Sequence, residues 1–486
     1  MSNAIYNNLL KSMGLEHLPT AKDVELTGSD PHVNSVFRIG ECASAALGVQ
    51  AALVAEIWRQ RSGQRQRILL EAAAGALATY SVNYQSQHGY AIPQPEPSYP
   101  LVQFYPTKDG RWFFLHGAFP LLRNGLLDLL GCSMETASIT NAVAGWNAIE
   151  LEEAIATRGL CGGVARSREE WLTHPQGAAI AGTPLVEIIR IGDAPPEPFQ
   201  PALRPLSGIK ALDLTHVIAG PTCGKTLAEQ GATVMHITSP TLPGLPPFDY
   251  DTGHGKLSAL LTLTNAADKA TLQGLCRKAD VFAESYRPGS LAGLGFSPEA
   301  VAELRPGIVY LSVNCYGWAG PWQYRPGWEQ LAQVVTGMTE AQGTPDFPAT
   351  QPTYPNDYST GFLAAAGVLT ALLRRAEEGG SWMVRVSLCR TSMWIQDQGK
   401  VDAGKLPPPP IPPAYLARYM QAHDSALGPL SYLGPVLHYD KTPSFWSRET
   451  IPLGASLPVW PETEPEAVET RSGHAPKHPA EACQLA

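Results

Sequence analysis

Two turns in the second half of the chain hold the residues best placed to do chemistry. The first, Ala219-Gly-Pro-Thr-Cys-Gly-Lys-Thr226, leads from an apolar run into a stretch of helical character over 222–230. It looks like a phosphate loop, but that pattern needs Gly where Ala219 stands, and Pro221 removes a backbone N–H that would cradle phosphate. A Gly/Pro turn with a helix N-terminus facing a ligand is the better reading, and such a terminus favours an anion even without the motif. The second turn, Pro352-Thr-Tyr-Pro-Asn-Asp-Tyr-Ser-Thr-Gly361, precedes an Ala/Leu-rich helix running to about Arg375. Asp357 sits where that helix begins. A carboxylate there, as N-cap or first-turn residue, stabilises the free N–H groups by about 1 kcal/mol. Kept ionised and aimed by the helix dipole, it also suits a nucleophile. Local pattern alone favours the cap. Cys223 and Cys315 read as buried thiols rather than nucleophiles.

The elements that position these turns form a rhythm. Short apolar runs at 209–214, 232–237, 257–263, 279–283 and 308–313 are separated by about a helix's worth of residues. This is the βαβ pattern of a parallel sheet with helices on both faces. Ligands on such sheets bind outside the carboxyl ends of the strands. The expected fold class is α/β, a large domain with a Rossmann-like parallel sheet and a smaller α+β domain.

The same segment resembles the family III CoA-transferases. Asp213-Leu-Thr-His-Val-Ile-Ala-Gly-Pro221 matches an early motif of that family, as does Gly253-His-Gly-Lys-Leu-Ser258 with the strand after it. Ala279-Asp-Val-Phe-Ala-Glu-Ser-Tyr-Arg-Pro-Gly289 with Leu294-Gly-Phe296 is the most specific stretch. Tyr310-Leu-Ser-Val-Asn-Cys-Tyr-Gly-Trp-Ala-Gly-Pro321 and Asn356-Asp-Tyr-Ser-Thr-Gly361 follow in family order. The family includes formyl-CoA and carnitine CoA-transferases and α-methylacyl-CoA racemase. The resemblance implies an enzyme moving CoA between an acyl-CoA and a carboxylic acid acceptor, with Asp357 as the covalent nucleophile and no metal. It implies CoA contacts from Val217, Ile218, Ala219, Ser285, Tyr286 and Leu294, with Lys256 on a CoA phosphate, and a homodimer of interlocked chains. Two departures weaken that match: Ser239 stands where a basic residue is often found, and Ser285 replaces Asn. Trp328 stands where the racemase branch needs His, which disfavours proton abstraction. The alternatives are a non-catalytic acyl-CoA-binding homologue, a racemase of the same superfamily and, from the first turn, a P-loop hydrolase using Lys225 and Thr226.

The chain has 486 residues, enough for two or three domains, with 44% hydrophobic and 16% charged residues. Its formal charge is −9 and it carries no Lys/Arg run, which argues against nucleic acid and anionic membrane as partners. Eight Cys without C-x-x-C spacing argue against structural zinc and a disulfide framework. No leader pattern and no apolar run of 18 residues stands out, so cytoplasm is the default expectation. Ala45-Ala-Leu-Gly-Val-Gln-Ala-Ala-Leu53 repeats the Gly and Ala spacing of Ala364-Ala-Ala-Gly-Val-Leu-Thr-Ala-Leu372, with Arg38 in the register position of Asp357. The expected organisation is therefore a pseudo-copy of the large-domain end over 1–100 and the small domain over 101–193. A linker over 194–208, the CoA-binding catalytic domain over 209–400 and a Pro-rich return segment over 401–460 follow. Residues 461–486, rich in Pro, Glu and Ala, are expected to be disordered.

Overall fold

The computed structural model describes residues 2–93, 99–402, 404, 406 and 411–462. The apolar runs become one seven-stranded sheet, made of β1 (Glu187–Gly192), β2 (Lys210–Leu214), β3 (Thr233–Thr238), β4 (Lys256–Leu260), β5 (Val281–Glu284), β6 (Val309–Asn314) and β7 (Ser381–Ser387). Their spatial order is β4-β3-β2-β5-β6-β7-β1. Strands β2 to β7 are parallel, and only β1 runs antiparallel, against β7. Nearly every residue of β2, β5 and β6 is buried. Strands covered on both faces show no polar alternation, which is why they read as continuous apolar runs. β2 and β5 are neighbours, with Asp213 opposite Ala283. The order of strands reverses between them, which opens a crevice at their carboxyl ends. The α/β reading, a Rossmann-like sheet with a smaller α+β domain, holds. β1 falls in the stretch expected to be small domain. It is an edge strand with exposed Ile189 and Arg190, so it lacks the apolar signature of the others.

Four helices matter for the site: α1 (Ile39–Ser62), α2 (Ala219–Glu229), α3 (Glu329–Thr336) and α4 (Pro355–Glu378). α1 and α4 pack along each other, and α4 also lies on α2. Gly361 makes the second contact possible, since a Cβ there would sit 2.6 Å from both Ala219 O and Thr222 Cβ. α1 is long and apolar enough to cross a membrane, and here its apolar stretch is buried inside the protein. It is followed by the strand Ile68–Glu71, which runs parallel to Val24–Thr27, and then by the helix Ala72–Ala78. α4 is likewise followed by a parallel strand, β7, and the helix Leu388–Asp397. The two units cross reciprocally. Tyr354 N donates to Thr79 O (3.0 Å) at the start of α4, and Val401 N donates to Val36 O (2.8 Å) just before α1.

The small domain pairs Val102–Pro106, Trp112–His116 and Gly162–Val164 in an antiparallel sheet over its own apolar core. A capping box is present at Ser167, whose hydroxyl accepts from Glu170 N while Glu170 accepts from Ser167 N. The buried pair Arg166–Glu152 (2.5 Å) is internal to this domain, and the bond from Arg166 N to Val334 O docks it on α3. Arg287, just past β5, donates to Gly159 O across the crevice (2.8 Å). The stretch over 194–208 is pinned along the large domain, with Glu197 accepting two bonds of 2.7 Å from Arg305. The return segment folds back on the body. His438–Tyr439 pairs with Ile68 and Leu69, and Trp446 Nε1 donates to Lys225 O (3.1 Å). Residues 407–410 of the Pro-rich run and 463–486 of the tail lie outside the described residues.

Candidate active site

The first turn is shorter than the sequence implies. α2 already begins at Ala219, so Gly220 to Thr226 are helical rather than a phosphate-cradling loop. Pro221 falls in the first helical turn, where its missing N–H costs nothing. Lys225 points into the protein and pairs with buried Asp251 at 2.8 Å. The phosphate-loop alternative is thereby removed. The real turn is Thr215 to Ile218, and within it Val217 has φ +65°. A β-branched residue in the left-handed region is a strained arrangement, held here by what surrounds it. Behind the turn, Asp213 accepts from Thr215 N and from Lys256 Nζ (2.7 Å). Burial by itself pushes Asp213 up, but Lys256, His236 and Thr215 together hold it below its ordinary range.

Six of the expected cofactor residues gather at the crevice between β2 and β5. Val217, Ile218 and Ala219 form the end of the turn and the start of α2. Ser285 Oγ accepts from His216 N at 3.0 Å, tying the turn after β2 to the turn after β5. Tyr286 meets the His216 ring edge-on at 4.7 Å and packs with Leu294 on the sheet's apolar cluster. His216 itself is drawn down to about 4 by burial, and its Nε2 is buried without a partner. An open crevice, a helix N-terminus and an unsatisfied imidazole nitrogen fit a long polar ligand with anionic groups. Lys256 differs from the other six. Its ammonium is 4% exposed, donating to Asp213 and to Pro221 O (2.8 Å). A phosphate would reach it only by displacing that pair. Ser239 bonds to Thr241 at the exposed end of β3.

Asp357 is the third residue of α4 rather than its cap. Tyr354 is the N-cap, without a side-chain capping bond, and Pro355 opens the helix. The carboxyl of Asp357 accepts no hydrogen bond among the described residues, and the residue is 8% exposed. The groups expected to be served by a cap go elsewhere. Glu329, the first residue of α3, accepts from Asp357 N (2.5 Å), Asn356 N (3.3 Å) and Asn356 Nδ2 (3.1 Å). Gln333, one turn on, donates to the same carboxyl at 2.6 Å. Burial pushes Glu329 up to about 7. Burial, and behind it the charge of Glu329, pushes Asp357 well above its ordinary value. Desolvation beside a second carboxyl thus works against the helix dipole expected to keep Asp357 ionised. Two buried carboxyls at one helix start cannot both ionise easily and titrate as a pair.

Three further residues complete the surroundings. Tyr358 donates to Asp251 at 3.0 Å, and Ser81 donates to the same carboxyl at 2.8 Å. The segment following the first long helix therefore braces the start of the second. His116, from the small domain, stacks on Trp328 at 5.7 Å and meets Gln330 at 3.2 Å. Burial lowers it to about 4, so it is a neutral imidazole at neutral pH. The structure thus brings a histidine beside Trp328, from a strand the sequence could not connect to it. Glu329 was legible in one respect. It lies four residues before Gln333 in the same helix, the spacing of a side-chain pair on one face.

Residues 206–413 match the family described as CoA-transferase family III. An acyl-CoA transferase of Gibberella moniliformis is 32% identical over 418 residues, covering 73% of this chain and 73% of the relative. The acetyl-coenzyme A transferase nodX of Hypoxylon pulicicidum is 33% identical over 321 residues, 61% of this chain and 54% of that protein. A formyl-CoA:oxalate CoA-transferase of Rhodopseudomonas palustris is 32% identical over 221 residues, 41% of this chain and 51% of that protein. The chain thus spans about half the length of several curated relatives it matches. With the motifs in order along a switched parallel sheet, and a relative matched over most of both chains, this chain belongs to the family III CoA-transferases.

Proposed function

We propose that this protein moves CoA between an acyl-CoA thioester and a carboxylic acid, with Asp357 as the covalent nucleophile. The observation that carries this is a buried carboxyl, free of hydrogen bonds, held beside Glu329 at the start of α4. A carboxyl kept only for helix stability would be bonded to the free N–H groups, and here Glu329 accepts those bonds instead. Burial also removes water that would hydrolyse an anhydride.

The first step balances simply. An Asp357 carboxylate oxygen attacks the thioester carbonyl, the C–S bond breaks, and CoA leaves as thiolate, giving an aspartyl-acyl anhydride. The thiolate then attacks the β-carbonyl of Asp357, releasing the first acid and leaving an aspartyl–CoA thioester. The acceptor carboxylate repeats the sequence in reverse. Glu329 acts as a positioning residue. It accepts from Asn356 N and Asp357 N and so keeps the helix start in place. Val217, Ile218, Ala219, Ser285, Tyr286 and Leu294 form the CoA crevice in this reading. Lys256 acts on it through Asp213 and the strained turn.

The segment over 1–100 is a non-catalytic copy in the same reading, supported by Arg38, which occupies the register position of Asp357 and pairs with Glu41 at 2.9 Å. The homodimer belongs to the proposal as well. Exchange of labelled free acid into acyl-CoA is the test. Asp357→Asn should lose nearly all exchange while keeping the melting temperature within a few degrees, and a mutant exchanging near the wild-type rate would return Asp357 to a structural role.

A further inference from the structure

A cavity of about 450 Å³ opens between the small domain and the start of α4. Its walls set the rings of Tyr80, Phe104, Phe114 and Tyr354 among amide and hydroxyl side chains, and its lining contains no charged side chain. The amides it shows are mostly engaged by the protein. Gln333 bonds Glu329 and Gln351 N, and Gln351 bonds Met338 O and Ser35. The hydroxyl of Thr353 is turned away from the cavity and buried.

The cavity adjoins the reacting carboxyls. Tyr354 in its wall and Asp357 lie three residues apart across the first turn of α4, neighbours on a helix surface. Gln333 is one hydrogen bond from Glu329, whose carboxyl in turn holds Asp357 N.

We infer that this cavity is the acyl-selecting pocket, and that it takes an uncharged aromatic or branched apolar acyl group. This rests on the transferase reading for the word acyl, though the pocket's chemistry stands apart from it. At ~30 Å³ per water, the volume holds on the order of ten to fifteen non-hydrogen atoms, far more than a one- or two-carbon acid. A dicarboxylate would bring a second negative charge into a space with no cation to meet it, beside two carboxyls already pushed toward neutrality. Four aromatic rings in the wall offer a flat apolar group its contacts.

Ligand-observed NMR titration of the full chain with 3-phenylpropionamide and succinamate tests this without turnover. The two amides share a backbone and differ in phenyl against carboxylate. The phenyl compound should bind at least tenfold more tightly. Ala349→Trp should abolish that binding by filling the cavity. Thr350→Arg, at an exposed position on the rim, should bring succinamate up to the phenyl compound even if the Trp variant fails to fold. Equal or tighter succinamate binding by wild type, no binding of either amide, or undiminished phenyl binding in a folded Ala349→Trp variant overturns the inference. Phenylpropionamide binding without any acylation of Asp357 by acyl-CoA would sink the transferase reading and leave the pocket standing.

Discussion

Replacing Glu329 by Gln isolates what the second carboxyl does. Asn356 N reaches Oε1 and Asp357 N reaches Oε2, so the single Gln oxygen keeps one of the two bonds; that loss is the same at every pH, while the titrating charge is gone. Burial raises Glu329 from 4.5 to about 7. The folded protein therefore holds this proton more tightly than the unfolded chain. The sign follows from linkage: the stability it contributes is fully present below 4.5 and is lost as pH rises through about 7. At ~1.4 kcal/mol per pH unit the loss amounts to about 3 kcal/mol. Urea unfolding of both proteins at pH 5 and pH 8 reads it directly. Wild type should lose about 3 kcal/mol more than Glu329→Gln between those conditions. The transfer rate supplies the second readout. The negative charge of Glu329 raises Asp357, so its removal should shift the acid limb of the rate profile to lower pH. Parallel stability curves, or a limb that stays in place, would refute the idea that the two carboxyls share a proton.

Other outcomes follow from neighbouring contacts. Lys256→Met strands Asp213 inside the protein, and breaking such a buried pair should cost about 3–5 kcal/mol in urea unfolding. A rise in KM for acyl-CoA with unchanged stability would instead make Lys256 a direct phosphate ligand. Glu41 pairs with Arg38 and accepts from Ser2 in the first copy, so Glu41→Gln should leave transfer per folded molecule unchanged. Abolished turnover with the fold intact would contradict the non-catalytic reading of that copy. Light scattering at micromolar concentration should give the mass of a dimer, and a stable monomer would remove the homodimer from the proposal.

Much of the sheet was legible because its strands are buried on both faces and stand out as unbroken apolar runs. β1 was not, since an edge strand with exposed residues carries no such mark. The start of α2 was misplaced because Gly220-Pro221 is a turn signal locally, while Pro in a first helical turn is equally allowed. The position of Asp357 at a helix start was readable from Pro355 and the Ala/Leu run after it. Its protonation was not. That depends on Glu329, which lies 28 residues upstream and is brought to the same helix start by tertiary packing. The burial of Lys256 was hidden for the same reason, since only the adjacency of β4, β3 and β2 sets it beside Asp213. His116 reaches Trp328 from another domain, a contact no local pattern encodes. The cavity was equally invisible, being assembled from the small domain, the segment after α1 and the approach to α4.

The central claim is that Asp357 becomes covalently acylated. Incubating the protein with acetyl-CoA, quenching with hydroxylamine and mapping peptides by mass spectrometry measures this most directly. The account predicts a hydroxamate on Asp357 in wild type, formed only when acyl-CoA is present, and an unmarked peptide in Asp357→Asn. A clean Asp357 peptide from protein that is turning over acyl-CoA, or a mark on another residue, would contradict it.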